Sequence, residues 1–108
     1  MIQSMKPIHF IGSSRSDIAS FPDAARRVAG SDLWRVQCGR MPSDWKPMPA
    51  VGAGAMEIRV HLGGAWRVIY VAKFEDAVYV LHAFQKKTQK TSQDDIAVAA
   101  RRYRKIGG

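Results

Sequence analysis

Arg67 is the first residue whose setting suggests chemistry. It is the one charge in the apolar run "AWRVIYVA" (65–72), between Trp66 and Val68. A cation isolated among apolar groups is costly, so this guanidinium must meet solvent, a carboxylate or an anionic ligand. Two readings follow. One is an ion pair with Glu57 on the neighbouring strand. The other is a grip on phosphate, for which a planar, permanently charged fork is suited. Arg59 alone is an ordinary solvated strand residue, and it gains weight beside Arg67. A second concentration of charge lies in "AFQKKTQKT" (83–91), where Lys86, Lys87 and Lys90 crowd the step from a buried strand to a helix. That segment is either a solvated turn or the mouth of a polyanion-binding groove. His82 precedes it, and an imidazole with an ordinary pKa of about 6.5 is suited to proton transfer. His61 and His82 fit structural or surface roles as well. Trp34, Trp45 and Trp66 offer faces on which bases stack. Trp66 reads as core. Trp45, next to Lys46 in a Pro/Gly loop, is the better stacking candidate.

The bulk composition agrees with a folded polyanion binder. The chain has 108 residues, 46% of them hydrophobic and 24% charged, which is near the globular average and unlike a disordered tail. One domain spanning 1–108 is expected. Seventeen Lys+Arg against nine Asp+Glu leave a formal charge of +8, a field that favours nucleic acid, an anionic membrane or an acidic protein. Cys38 is the single cysteine, so an internal disulfide is excluded and no Cys/His metal set exists. It reads as a small apolar side chain. The opening "MIQSMKPIHFIGSS" has too short an apolar run for a signal peptide, and no window approaches the ~18 apolar residues of a membrane span. A cytoplasmic protein with no membrane partner is expected.

These residues need elements to position them. "KPIHFIG" (6–12) reads as a short strand. Ser14 followed by Asp17 resembles a capping box, with Asp in the place of Glu. Pro22 permits a helix restart, so two helical pieces meet there. Beyond it Ala25, Val28, Ala29, Leu33 and Val36 form an apolar face opposite Arg26, Arg27 and Arg35. Residues 39–55, with three prolines and three glycines, read as loop. In "MEIRVHL" (56–62) Met56, Ile58, Val60 and Leu62 alternate with Glu57, Arg59 and His61, the period of a half-buried strand. "GG" at 63–64 marks a hairpin, and 65–72 and 78–84 complete a meander around the turn "KFEDA". Ser92 caps a last helix, with Asp94 and Asp95 in its first turn and Arg101, Arg102, Arg104 and Lys105 in its last. That charge order suits the helix dipole, so those cations are discounted as a nucleic-acid signal. The fold class is α+β: a small antiparallel sheet, two N-terminal helical segments and a C-terminal helix, with one sheet face covered and the other open.

"GAMEIRV", "WRVIYVA" and "VYVLHAFQKKTQKTSQDDIAVAARRYRK" resemble the RelE/HigB-type toxins of bacterial toxin–antitoxin modules, in the phage-derived branch. The most specific block is Leu-His-Ala-Phe-x-Lys-Lys-Thr, here Leu81 to Thr88, and motif similarity extends from Gly54 to Lys105. The resemblance implies a RelE-like sheet flanked by helices. It implies a ribosome-dependent mRNA endonuclease that inhibits translation, uses no metal or other cofactor, and is neutralised by a helix-turn-helix antitoxin. The ribosome and mRNA would be its other partners. Arg67 resembles the family's mid-strand arginine facing the scissile phosphate. Lys86 and Lys87 fall where the family places basic residues, Arg59 lines the same groove, and His82 sits just upstream. Lys90, Trp45 and Lys46 are the further RNA-binding candidates.

Metal-free RNA cleavage uses the RNA's own 2′-hydroxyl as nucleophile. The protein must align it, take its proton, stabilise the phosphorane and protonate the departing 5′-oxygen. A lysine base needs its pKa brought down from about 10.4, and crowded cations have that effect. His82 needs no such shift. The competing reading is a non-catalytic basic module, a decayed toxin or phage protein that only grips RNA or a protein. A basic DNA-binding regulator ranks behind both, since no helix-turn-helix pattern is present.

Overall fold

Strict alternation in 55–61 sends Met56, Ile58 and Val60 to one side of a strand and Glu57 and Arg59 to the other, and the rest of the fold is assembled around that division. The computed structural model describes residues 5–106. In chain order the elements are β1 (Ile8–Phe10), α1 (Ser14–Ala19), α2 (Asp23–Gln37), β2 (Trp45–Pro47), β3 (Ala55–His61), β4 (Ala65–Val71), β5 (Val78–Gln85) and α3 (Gln93–Tyr103). The expected meander is β3–β4–β5. Gly63 and Gly64, at φ 65° and 137°, turn its first hairpin in backbone regions that disfavour other residues.

The α+β class and the helix count agree with the sequence expectation, while the sheet differs in two respects. It has five strands in the order β1-β5-β4-β3-β2 and is mixed, because β1 runs parallel to β5. The loop 39–55 contains β2, which pairs antiparallel with β3. Pro47 is tolerated there because β2 is an edge strand with one side free of ladder bonds. The loop before β2 is tethered by Ser43, whose backbone N–H and hydroxyl donate to the buried Asp32 at 3.1 and 3.2 Å.

Helices cover both faces, so the expectation of an open face is corrected. On one side α1 and α2 bury Ile18, Phe21, Ala25, Ala29, Leu33 and Val36 against Ile58, Val60, Val68, Tyr70, Val78 and Val80. On the other, α3 lays Ile96, Ala99 and Tyr103 over Ile69, Val71 and Leu81. The apolar stripe of α3 is long enough to need a partner, and the α3-side residues of β4 and β5, with Met48, Val51 and Ala55 beside them, supply it. Arg102 clamps this packing by donating to Leu81 O at 2.9 Å and Ser13 Oγ at 3.2 Å, so it is a structural cation.

The caps divide. Ser92 accepts from Asp95 N, as expected. Ser14 does not cap α1: Ser13 holds the cap position, and the buried Ser14 hydroxyl donates to Val80 O at 3.1 Å. Pro22 does stand at the restart, immediately before α2.

Burial, with the Asp32 charge second, pushes the Tyr70 hydroxyl up to about 12. The folded state therefore holds this proton more tightly than the unfolded chain, whose tyrosines titrate near ~10. The resulting stability is complete below about pH 10 and is lost as pH rises toward 12. Chemical denaturation of wild type and Tyr70→Phe across that window tests this. The stability difference should shift by about 2 kcal/mol in favour of the variant.

Candidate functional site

Antiparallel pairing places directly opposed residues on the same face, so the register locates the charged side chains. Arg59 lies opposite Arg67, and Lys46 lies opposite Glu57, all on the α3 side of the sheet. Two arginines directly opposed repel one another, and a neighbouring carboxylate is needed to hold them. Glu57 fills that role. Its Oε1 is 3.5 Å from Arg67 Nε and 4.0 Å from Lys46 Nζ. Its Oε2 accepts from Thr91 Oγ1 at 2.7 Å.

Of the two readings of Arg67, the ion pair is the one the geometry contains. Arg67 is 2% exposed and Glu57 0%. Arg67 also donates from Nη1 to Trp66 O at 3.0 Å. The guanidinium thus presents no free fork to solvent, contrary to the expectation that it faces a phosphate. The physical cause is the loop after β5, which folds back across this face. Thr91 is buried and seals Glu57 beneath it.

The cluster nevertheless carries surplus charge. Lys46, Arg59, Arg67 and Lys86 gather round one buried carboxylate, with Asp44 acting on Arg67 more weakly than Glu57 and Arg59 do. Arg59 Nε is buried without a hydrogen-bond acceptor, while Arg67 Nε faces Glu57 Oε1 at 3.5 Å, an ion pair too long for a good hydrogen bond. Buried donors ordinarily find partners, and those that do not mark strain or an absent ligand. Burial lowers the pKa of Arg67, Glu57 opposes this and Arg59 adds to it. Lys86 is also held below the ordinary lysine value, first by burial and then by the Arg67 charge, with Glu57 opposing and Lys46 and Arg59 contributing.

Lys86 leads out of the sheet, its N–H donating to Ala65 O at 2.7 Å. Together with Phe84, Lys87, Thr88, Ser92 and Asp95 it lines a cleft of about 200 Å³. Lys87 and Lys90 are exposed on the same loop, where Thr88 Oγ1 donates to Lys90 O.

His82 is placed differently. A bulge at Leu81, where the register steps from Ile69↔His82 to Tyr70↔Val80, turns both Leu81 and His82 to the α3 side. His82 Nε2 lies 2.7 Å from Asp95 Oδ1, and Asp95 Oδ2 accepts from Ser92 Oγ at 2.6 Å. The imidazole stacks on Phe84 at 5.0 Å and 24°. Its Nδ1 is buried with no hydrogen-bond partner. With Nε2 committed and Nδ1 enclosed, neither nitrogen is offered to a substrate. His82 instead clasps β5 to the start of α3. Asp95, read from sequence only as part of a cap, is the residue that engages it, and the Ser92-x-x-Asp95 spacing was the available signal.

Trp45 is not brought to the cluster. It lies opposite Ile58, on the α2 face of the sheet, 37% exposed. Lys46, its neighbour, points to the other side and joins the cluster.

A mixed five-strand sheet with three helices matches a RelE-like fold. Among solved structures, a chain of the crystal structure of the toxin–antitoxin complex RelBE2 from Mycobacterium tuberculosis superposes with a TM-score of 0.51 at 21% identity, over 76% of this chain and 99% of that one. At that identity the likeness establishes the fold. The family model described as Phage derived protein Gp49-like matches residues 16–104, and the chain belongs to that family. The phage-derived, RelE/HigB-like kinship read from the motifs is thereby borne out. No curated protein matches the sequence.

No helix among the described residues is long and apolar enough to cross a membrane.

Proposed function

We propose that this chain is the toxin of a toxin–antitoxin pair and acts as a ribosome-dependent mRNA endonuclease. The observation that carries the reading is the surplus cationic cluster, with the buried Arg59 Nε lacking an acceptor, beside a cleft lined by Lys86 and Lys87. Family membership and the RelE-like fold support it.

The chemistry follows from the placement. A scissile phosphate at the rim of the cluster meets Arg59 and Lys86, both half-buried, with Lys46 beside them. Lys86, its proton affinity reduced by its surroundings, takes the proton from the RNA 2′-hydroxyl. The 2′-oxygen attacks phosphorus, the P–O5′ bond breaks, and the departing oxygen is protonated by Lys87. The products are a 2′,3′-cyclic phosphate and a 5′-hydroxyl. Fixed cations that need no reorganisation stabilise the phosphorane. Arg67 is a positioning residue here. It sustains the field that depresses Lys86, and it would touch phosphate only if Thr91 released Glu57. His82 and Asp95 hold the loop's two flanks together. Lys87 and Lys90 extend the basic surface toward flanking or ribosomal RNA, binding that should weaken with salt.

The proposed partner is an antitoxin, as in the complex formed by the structural relative, with a helix-turn-helix protein the kind expected. Cleavage of a message under translation, but not of the same RNA free in solution, tests this reading. A protein that binds RNA in both settings and cuts in neither favours the non-catalytic module.

A further inference from the structure

On the α2 face, remote from the cluster, the molecule has a larger cavity of about 300 Å³. Val36, Met41, Met56, Tyr70 and Ala72 make it apolar, and Lys6, Arg40 and Lys73 stand around it. We propose that this pocket receives an apolar anchor side chain from an acidic peptide segment of a protein partner.

The pocket is built from three parts of the chain and is held in shape. Its floor is the α2-facing pair Met56 and Tyr70, opposed across β3 and β4. One wall is the turn that ends α2. Gly39, at φ 83°, lets the chain reverse, and Arg40 N donates back to Arg35 O at 2.8 Å. Arg35 Nε donates to Met41 O at 3.0 Å, fixing the backbone of a methionine that is 42% exposed. The opposite wall is Lys6. Its Nζ donates to Ala72 O at 2.8 Å and Phe74 O at 2.7 Å, leaving one N–H for an incoming acceptor. Lys73 lies over the Phe74 ring at 5.2 Å.

Charge selects the occupant. The pocket lining contains three cations and no carboxylate. An aliphatic or aromatic side chain would satisfy the floor, and flanking Asp or Glu would meet the rim. Adaptable methionines suit side-chain packing. A phosphodiester would leave this apolar floor uncovered, so RNA is the poorer fit. The volume is at the low end for ligand sites, about right for one or two side chains and small for a dinucleotide. The inference rests on the toxin reading only in naming the antitoxin as the source of the segment; the chemistry of the segment comes from the pocket. A partner seated here would leave the cationic cluster uncovered and act by denying access to a larger target.

The test uses the intact protein labelled with ¹³C at its methionine methyls. The probe is a short N-acetylated peptide of glutamates around one leucine. Its addition should shift the Met41 and Met56 signals and leave Met48, buried on the α3 side, in place. Arg40→Glu combined with Lys73→Glu, both at exposed positions, should weaken binding by about tenfold or more, as should alanine for the peptide leucine. Absence of shifts at Met41 and Met56, or equal binding by the charge-reversed variant, would overturn the proposal. So would an oligouridine RNA that shifts the same two methyls and displaces the peptide. Growth arrest on induction reads the toxin proposal separately. The charge-reversed variant should still arrest growth, and failure of wild type to do so would count against the toxin and not against the pocket.

Discussion

Lys86→Met should lower cleavage of translated message by about 10²–10⁴-fold, the range associated with loss of a general base. Stability should stay within about 0.5 kcal/mol of wild type, because the half-buried ammonium has like-charged neighbours and forms no ion pair within 4 Å among the described residues. Two measurements decide it: single-turnover cleavage, and urea denaturation of the same preparations. The pH profile adds a sign. If neutral Lys86 is the active form, wild-type activity should rise with pH and level off below the ordinary lysine range, since burial and Arg67 both depress its pKa. An activity that falls as pH rises would point to an acid instead.

The second large effect belongs to Arg67 and separates folding from function. Arg67→Met removes the main partner of a fully buried carboxylate, and breaking such a pair costs about 3–5 kcal/mol. Lys46 at 4.0 Å and the Thr91 hydroxyl still attend Glu57, which places the loss at the lower end. Adding Glu57→Gln should restore most of that stability, since a neutral amide needs no counter-ion and its oxygen still accepts from Thr91. Replacing a buried pair with uncharged groups is often neutral. Cleavage should recover only in part with stability, because at Lys86 the lost Arg67 charge outweighs the lost Glu57 charge. Without Arg67 the Lys86 pKa rises, and the pH profile should move upward in both variants. The shift should be greater in Arg67→Met, where Glu57 still raises Lys86, than in the double variant. Equal profiles in all three proteins would confine Arg67 to a structural role.

What could be read in advance follows the range of the interactions. The strand read over 56–62, the Gly63–Gly64 turn and the Ser92 cap are specified within a few residues by alternation, backbone freedom and side-chain reach. The turn and cap appear where the sequence places them, and the strand lies one residue earlier, at Ala55–His61. The parallel pairing of Ile8–Phe10 with Val78–Val80 joins segments about seventy residues apart, and no local pattern announces it. β2 was concealed by prolines that normally argue against a ladder, and only its edge position admits Pro47. Ser14 matched a capping spacing, but its hydroxyl was claimed by Val80 O in the core.

The cluster was legible in its members and not in its arrangement. Glu57, Arg59, Arg67 and Lys86 were all singled out by type and spacing. Their convergence on one carboxylate depends on register across three strands. The burial of Arg67 depends on Thr91 reaching back to β3, a contact thirty-four residues away. His82 carried an imidazole suited to proton transfer, but the bulge at Leu81 turns it toward Asp95. Trp45 and Lys46 are adjacent in sequence and fall on opposite sides of the sheet, as successive strand residues must.

Primer extension on a message translated by purified ribosomes tests the central claim most directly. The account predicts reverse-transcription stops within the translated frame on adding wild type, none with Lys86→Met, and none when ribosomes are omitted. A cut end bearing a 2′,3′-cyclic phosphate should accompany each stop. An intact message in the presence of folded wild-type protein, or equal cleavage by Lys86→Met, would contradict it.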